Sequence, residues 1–240
     1  MRKQVEILKV PIDDVSNVEA MERLKIFLEE PNLKKVYTPN PEIVMLAQDD
    51  TELLRIIQEA DLVLADGIGL LIASKIKGLG LKERVTGIDT MEQLLIYSAE
   101  KGKSIYLLGG KPGVAEIACK NIEEKYKGIK IAGFYHGYFQ DKDEKEIIDN
   151  INRSKPDILF IALGAPKQEK WIDKYKNILE CRLAMGVGGG VDIYAGTAKR
   201  APLIFQKLGL EWFYRLIKEP WRIKRMMNLP KFLIKIILTK

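Results

Sequence analysis

Ser104-Ile-Tyr-Leu-Leu108, the turn Gly109-Gly-Lys-Pro-Gly113, a helical pattern over Val114–Tyr126 and a second β-rich run, Lys130–Phe134, read as one strand–turn–helix–strand unit. Strands joined through a helix of this length run parallel, because a tight hairpin cannot link parallel neighbours. The alternation continues outward on both sides. β-rich runs recur at Lys35–Thr38, Leu62–Ala65, Ile158–Leu163 and Leu183–Val187, most of them bounded by Gly, Pro, Asn or Asp. Helical patterns occupy Pro41–Asp49, Thr51–Glu59, Gly69–Lys77, Thr90–Lys101, Glu144–Arg153 and Lys167–Tyr175, and Asp89-Thr-Met-Glu92 has the form of a capping box. The pattern predicts an α/β fold: a mainly parallel, Rossmann-like sheet with helices on both faces.

With 240 residues, 47% hydrophobic and 30% charged, the chain can bury a large core. Two cysteines, Cys119 and Cys181, are too few for a disulfide framework or a zinc site and read as buried thiols in a reducing setting. Charge is unevenly placed. Lys199–Lys240 holds eleven basic residues against Glu211 and Glu219, a local charge of +9 in a chain that totals only +6. The same segment carries Trp212, Phe213, Trp221, Phe232 and many Ile, Leu and Met, and Pro220 and Pro230 divide it. Residues 1–201 are therefore expected to form an α/β core, and 202–240 a basic, amphipathic helical appendage. Every strand signal precedes Gly190, so the core is expected to fold without it.

Basic residues interleaved with apolar ones at helical spacing suit a helix lying in the plane of an anionic membrane surface. The competing reading is an ordinary helical layer packed on the core. Nucleic-acid binding is disfavoured, because so many Ile, Leu and Met have no use against a polyanion. The apolar runs are too short to span a bilayer. No apolar h-region follows Met1-Arg-Lys-Gln-Val-Glu6, so a cytoplasmic protein, peripheral on the inner membrane face, is expected.

In an open parallel sheet, ligands collect beyond the carboxyl ends of the strands. The residues there are Thr38-Pro-Asn40-Pro-Glu42, Ala65-Asp66-Gly67, Gly109-Gly110-Lys-Pro-Gly113, Gly164-Ala-Pro-Lys-Gln168-Glu169 and Gly186-Val-Gly188-Gly189-Gly190-Val-Asp192. Asp66, held among glycines, suits a general base for a substrate hydroxyl, or else a cap on the following helix. The turns around Gly109 and Gly110, and around Gly186, Gly188 and Gly189, let backbone approach a phosphate or a base, and Asp192 stands near enough to meet a ribose or uracil edge. Neither turn completes a G-x-G-x-x-G or P-loop pattern. Asp141-Lys-Asp143 has a D-x-D spacing but leads into an acid-rich helix start. The single histidine, His136, makes no metal centre by itself. Arg222 and Arg225 share a helix face, and with Arg215 they can clamp a diphosphate.

Taken together, the motifs resemble the WecG/TagA/CpsF family of glycosyltransferases. Those that carry the likeness are Thr38-Pro-Asn40, Ala65-Asp66-Gly67, Arg84-Val-Thr-Gly87, Leu108-Gly-Gly110, Gly164-Ala-Pro-Lys-Gln168-Glu169, Gly186-Val-Gly188, Asp192…Gly196…Arg200-Ala-Pro202 and Gly209-Leu-Glu211-Trp212…Arg215…Glu219-Pro220…Arg222. The resemblance implies a metal-independent, inverting enzyme without a cofactor. It implies transfer of N-acetylmannosamine from its UDP sugar to the 4-hydroxyl of N-acetylglucosamine on undecaprenyl diphosphate, at an anionic membrane surface. By position it makes Asp66 the catalytic base, with Thr38, Asn40 and Gln168 lining the same pocket. It further sets Arg215 and Arg222, and less firmly Arg225, on the diphosphate, and Asp192 with the glycine turns on UDP. Other UDP-sugar donors, such as a uronate or glucose, stay open, as does self-association. Two further classes stay open beside it: a nicotinamide-dependent oxidoreductase and a non-catalytic membrane or nucleic-acid binder.

Overall fold

The computed structural model describes residues 3–218, 220, 223 and 227–239. Six strands, β3 (Lys34–Tyr37), β4 (Leu62–Val63), β5 (Ser104–Gly109), β6 (Lys130–Tyr135), β7 (Ile158–Ala162) and β8 (Leu183–Gly186), form one sheet in the order β4-β3-β8-β7-β5-β6. Every pairing in it is parallel. The α/β, Rossmann-like expectation holds, and each of the six strands falls on a β-rich run read from the sequence.

Helices cover both faces because successive strand residues point opposite ways. In β7, Ile158 and Phe160 enter one core while Leu159 and Ile161 enter the other. Ile105 and Leu107 of β5 are likewise separated from Tyr106 and Leu108. The first face carries α1 (Asn17–Phe27), α5 (Gly87–Lys101), α6 (Val114–Lys125) and α9 (Gly190–Tyr194). The second carries α2 (Pro41–Asp49), α3 (Thr51–Gln58), α4 (Ile68–Lys77), α7 (Glu144–Ser154) and α8 (Lys167–Tyr175).

Adjacent strands β3 and β8 send their helices to opposite faces, α2 to one and α9 to the other. Strands β7 and β5 do the same with α8 and α6. Such divergence opens a crevice at the carboxyl edge of the sheet.

Two features depart from the sequence reading, and a third bears on an alternative it left open. An antiparallel hairpin, β1 (Gln4–Ile7) with β2 (Val10–Asp13), precedes the sheet. Its turn residues Leu8 and Lys9 have φ of 51° and 65°, a geometry usually signalled by Asn or Gly, so the sequence carries no turn mark there. Helix α5 starts at Gly87, not at the expected capping box: Thr86 is the N-cap and its Oγ1 accepts from Asp89 N–H at 3.1 Å. The third is at the C-terminus. Beyond α10 (Leu203–Lys207) and α11 (Glu211–Lys218), α12 (Asn228–Leu238) returns to pack on α2 and α4. It sinks Phe232 and Ile236 into the same core as Ile43, Val44 and Leu70.

Candidate active site

The carboxyl-edge loops enclose a cleft of about 970 Å³. Thr38, Asn40, Asp66, Gln168, Gly110, Gly188, Gly189 and Asp192, all expected from the sequence, line it. They come from five different strand ends, and only the sheet brings them together.

Asp66 is half-buried at the end of the β4 segment, where its own N–H donates to Pro39 O at 3.1 Å. It does not cap α4: the N-cap there is Gly67, with no side-chain hydrogen bond. Instead Asp66 Oδ2 accepts from the N–H of Gly87, the first residue of α5, at 3.3 Å. A helix N-terminus favours a carboxylate's negative charge. Asn40 caps α2 through its Oδ1, which accepts from Ile43 N–H at 3.0 Å. Thr38 lies against the α5 N-terminus, where a Cβ on Gly87 would stand 2.9 Å from its Oγ1.

Gln168 differs from a freely presented polar side chain. It is 4% exposed, donates from Nε2 to Glu169 Oε1 at 2.8 Å and accepts Gly188 N–H on Oε1 at 3.2 Å. Both ends of its amide are engaged. Gly186 and Gly109 are not among the lining residues; they serve the cleft from behind. A Cβ on Gly186 would lie 2.6 Å from Gln168 Nε2, and one on Gly109 2.4 Å from the Ala162 carbonyl oxygen. Their lack of a side chain is used in packing.

Residues the sequence reading did not assign complete the walls. Lys111 and Lys167 add positive charge, with the Lys167 ammonium 4.7 Å from the Phe139 ring centre. Gly137, Tyr138, Phe139 and Gln140 follow β6, where the carboxyl-end rule could have found them. Arg84, Glu211 and Trp212 also face the cleft. Arg84 pairs with Glu211 at 3.1 Å and donates to Gln206 O at 3.1 Å, tying the segment after Pro202 to the core. Arg200 stands beside Glu211 at 3.6 Å and also pairs with Asp89. Burial works against the Arg200 charge, but Asp89 and Glu211 outweigh it and hold its pKa above the usual value.

Asp141-Lys-Asp143 forms a 3₁₀ turn leading into α7, and Asp143 Oδ2 accepts from Gln140 N–H at 2.8 Å. Arg222 and Arg225, expected at the diphosphate, lie outside the described residues, as does the side chain of Arg215, which belongs to α11. Among the described residues, no helix is long and apolar enough to cross a membrane.

Comparison with known proteins gives the family. The family model described as "Glycosyl transferase WecG/TagA/CpsF family" matches residues 5–240. The chain is 38% identical over 202 residues, 84% of its length and 78% of the relative's, to the N-acetylglucosaminyldiphosphoundecaprenol N-acetyl-beta-D-mannosaminyltransferase of Bacillus subtilis (strain 168). It is 35% identical over 239 residues, 99% of its length and 93% of the relative's, to the protein of the same name from Staphylococcus aureus (strain MRSA252). With the family model spanning residues 5–240 and relatives 35–38% identical over most of its length, this chain belongs to the WecG/TagA/CpsF family of glycosyl transferases.

Proposed function

We propose that this chain transfers N-acetylmannosamine from UDP-N-acetylmannosamine to the 4-hydroxyl of N-acetylglucosamine on undecaprenyl diphosphate. The observation that carries the reading is a half-buried carboxylate, Asp66, in a cleft whose walls also hold backbone turns and cations. In this reading Asp66 removes the acceptor proton, the freed oxygen attacks the anomeric carbon, and UDP departs from the opposite side. Charge developing on the diphosphate is met by Arg84, Lys111 and Lys167, by the turn amides of Gly110, Gly188 and Gly189, and by Arg215 and Arg222, with Arg225 as a third appendage cation. Asp192 addresses the nucleoside, and Thr38 and Asn40 orient the sugars. No divalent metal takes part, so chelator should leave turnover of the purified enzyme intact.

Residues 202–240 are proposed as both wall of the site and membrane contact, on the inner face of the cell membrane. Gly209, Glu211, Trp212 and Leu229 border the cleft, while Leu203, Ile204, Ile217, Ile234 and Ile237 are exposed. Exposed apolar side chains interspersed with Lys and Arg in the sequence suit an anionic headgroup boundary. Binding to anionic vesicles should weaken with salt and with charge reversal at Lys231 and Lys235.

The test is the product mass formed from a lipid-acceptor analogue offered a panel of UDP sugars. Addition of one N-acetylhexosamine from UDP-N-acetylmannosamine supports the proposal. Transfer from another sugar reassigns the donor, and no UDP release from any of them refutes it.

A further inference from the structure

Glu169 is a carboxyl group with no part in the steps above. It follows Gln168 in the first turn of α8 and is 2% exposed. Its Oε1 accepts from Gln168 Nε2 at 2.8 Å, while its Oε2 is buried without a hydrogen-bond partner among the described residues. The other end of the Gln168 amide accepts Gly188 N–H at 3.2 Å. A hydrogen-bonded chain thus runs from the protein interior, through Gln168, to a glycine on the cleft wall.

An amide side chain has two orientations of nearly equal shape, distinguished only by their hydrogen bonds. Here an acceptor at one end and a donor at the other select a single one. Turned over, the amide would set its NH2 against Gly188 N–H and its oxygen against the Glu169 oxygen, and both bonds would be lost. We propose that Glu169 is a positioning residue: it holds the Gln168 amide in the orientation that clamps Gly188, and so fixes the Gly186–Gly190 turn that forms the cleft wall. That the turn receives the nucleoside diphosphate of the donor rests on the function proposed above; the clamp does not.

Burial pushes the Glu169 carboxyl above the ordinary carboxylate range, opposed by the Gln168 hydrogen bond. Glutamine at position 169 keeps a side-chain oxygen that can accept the same bond from Gln168.

The experiment uses the full chain, with UDP affinity by calorimetry and amide hydrogen exchange at Gly188. Glu169→Leu removes the acceptor. It should weaken UDP binding roughly five- to tenfold, the worth of about one buried hydrogen bond, and speed Gly188 exchange by a similar factor. Glu169→Gln should bring both back to within about twofold of the parent. Glu169→Leu added to Gln168→Leu should weaken binding no further, because the two act through one contact. If Glu169→Leu does not fold, Glu169→Asp, which withdraws the oxygen by one methylene, should show the same pair of shifts. A folded variant with unchanged Gly188 exchange and unchanged UDP affinity overturns the clamp. Faster Gly188 exchange in the variant, with no UDP binding by the parent protein, upholds the clamp and refutes the donor assignment.

Discussion

Replacing Asp66 by asparagine separates catalysis from support. Asp66 Oδ2 accepts the Gly87 amide at 3.3 Å, a long contact at the start of α5. Asparagine keeps an oxygen that can take this bond, so the structural loss is at most about 1 kcal/mol. For a chain of this size that is a fall in Tm of roughly 2–4 °C. The proton acceptor, in contrast, disappears. General base catalysis contributes about two to four decades of rate, equivalent to roughly 2.7–5.5 kcal/mol of transition-state stabilisation. The kinetic effect should therefore exceed the thermal one several-fold, with UDP affinity nearly unchanged. The assay is UDP release with a soluble lipid-acceptor analogue at saturating donor, run beside a thermal scan and a UDP titration. Near-normal turnover in Asp66→Asn, or a loss explained entirely by weaker UDP binding, would reduce Asp66 to a group that supports α5.

Three further outcomes follow from packing and burial. Gly109→Ala forces a Cβ to within 2.4 Å of a carbonyl oxygen at a φ of 141°, and should lower stability by about 3 kcal/mol, roughly 6–12 °C in Tm; an unchanged Tm would show that β5 and β7 can move apart there. Phe232→Ala empties a fully buried site between α12 and the core and should cost about 3–5 kcal/mol, lowering the Tm of the whole chain by roughly 6–20 °C; a core transition left in place would mean that α12 opens by itself. Burial pushes the thiols of Cys119 and Cys181 up to about 12, so neither supplies thiolate near neutral pH; a disulfide reagent should label neither in the native protein and both after denaturation, and rapid native labelling would contradict that burial.

Most of the architecture was legible from local pattern. Ser104–Gly109, Val114–Lys125 and Lys130–Tyr135 stand where the opening motif sets them, because strand and helix periods differ and glycine marks the joins. The hairpin Gln4–Asp13 was not legible, since Leu8 and Lys9 adopt positive φ without turn chemistry, and their carbonyl oxygens accept from Gln48 and Gln58 of the body at 2.7 and 3.0 Å. The capping box at Asp89 misled for a related reason. Thr86 is an equally good cap three residues earlier, and the residue before it, Val85, is tied to the sheet through its N–H to Ala65 O at 3.0 Å.

The cleft divides in the same way. Asp66, Asn40, Asp192 and the glycine turns could be named because residues after parallel strands share one edge of the sheet, a property of periodicity and connection. That both ends of the Gln168 amide are engaged depends on Glu169 behind it and Gly188 before it, contacts separated by up to twenty positions in the chain. The same holds for the C-terminal segment. Composition marked residues 202–240 as basic and amphipathic, and it separated them from the strands. The return of α12, with Phe232 and Ile236 entering the core beside α2 and α4, was decided by tertiary packing alone, because the apolar face of a helix shows that it must be covered but not by which surface.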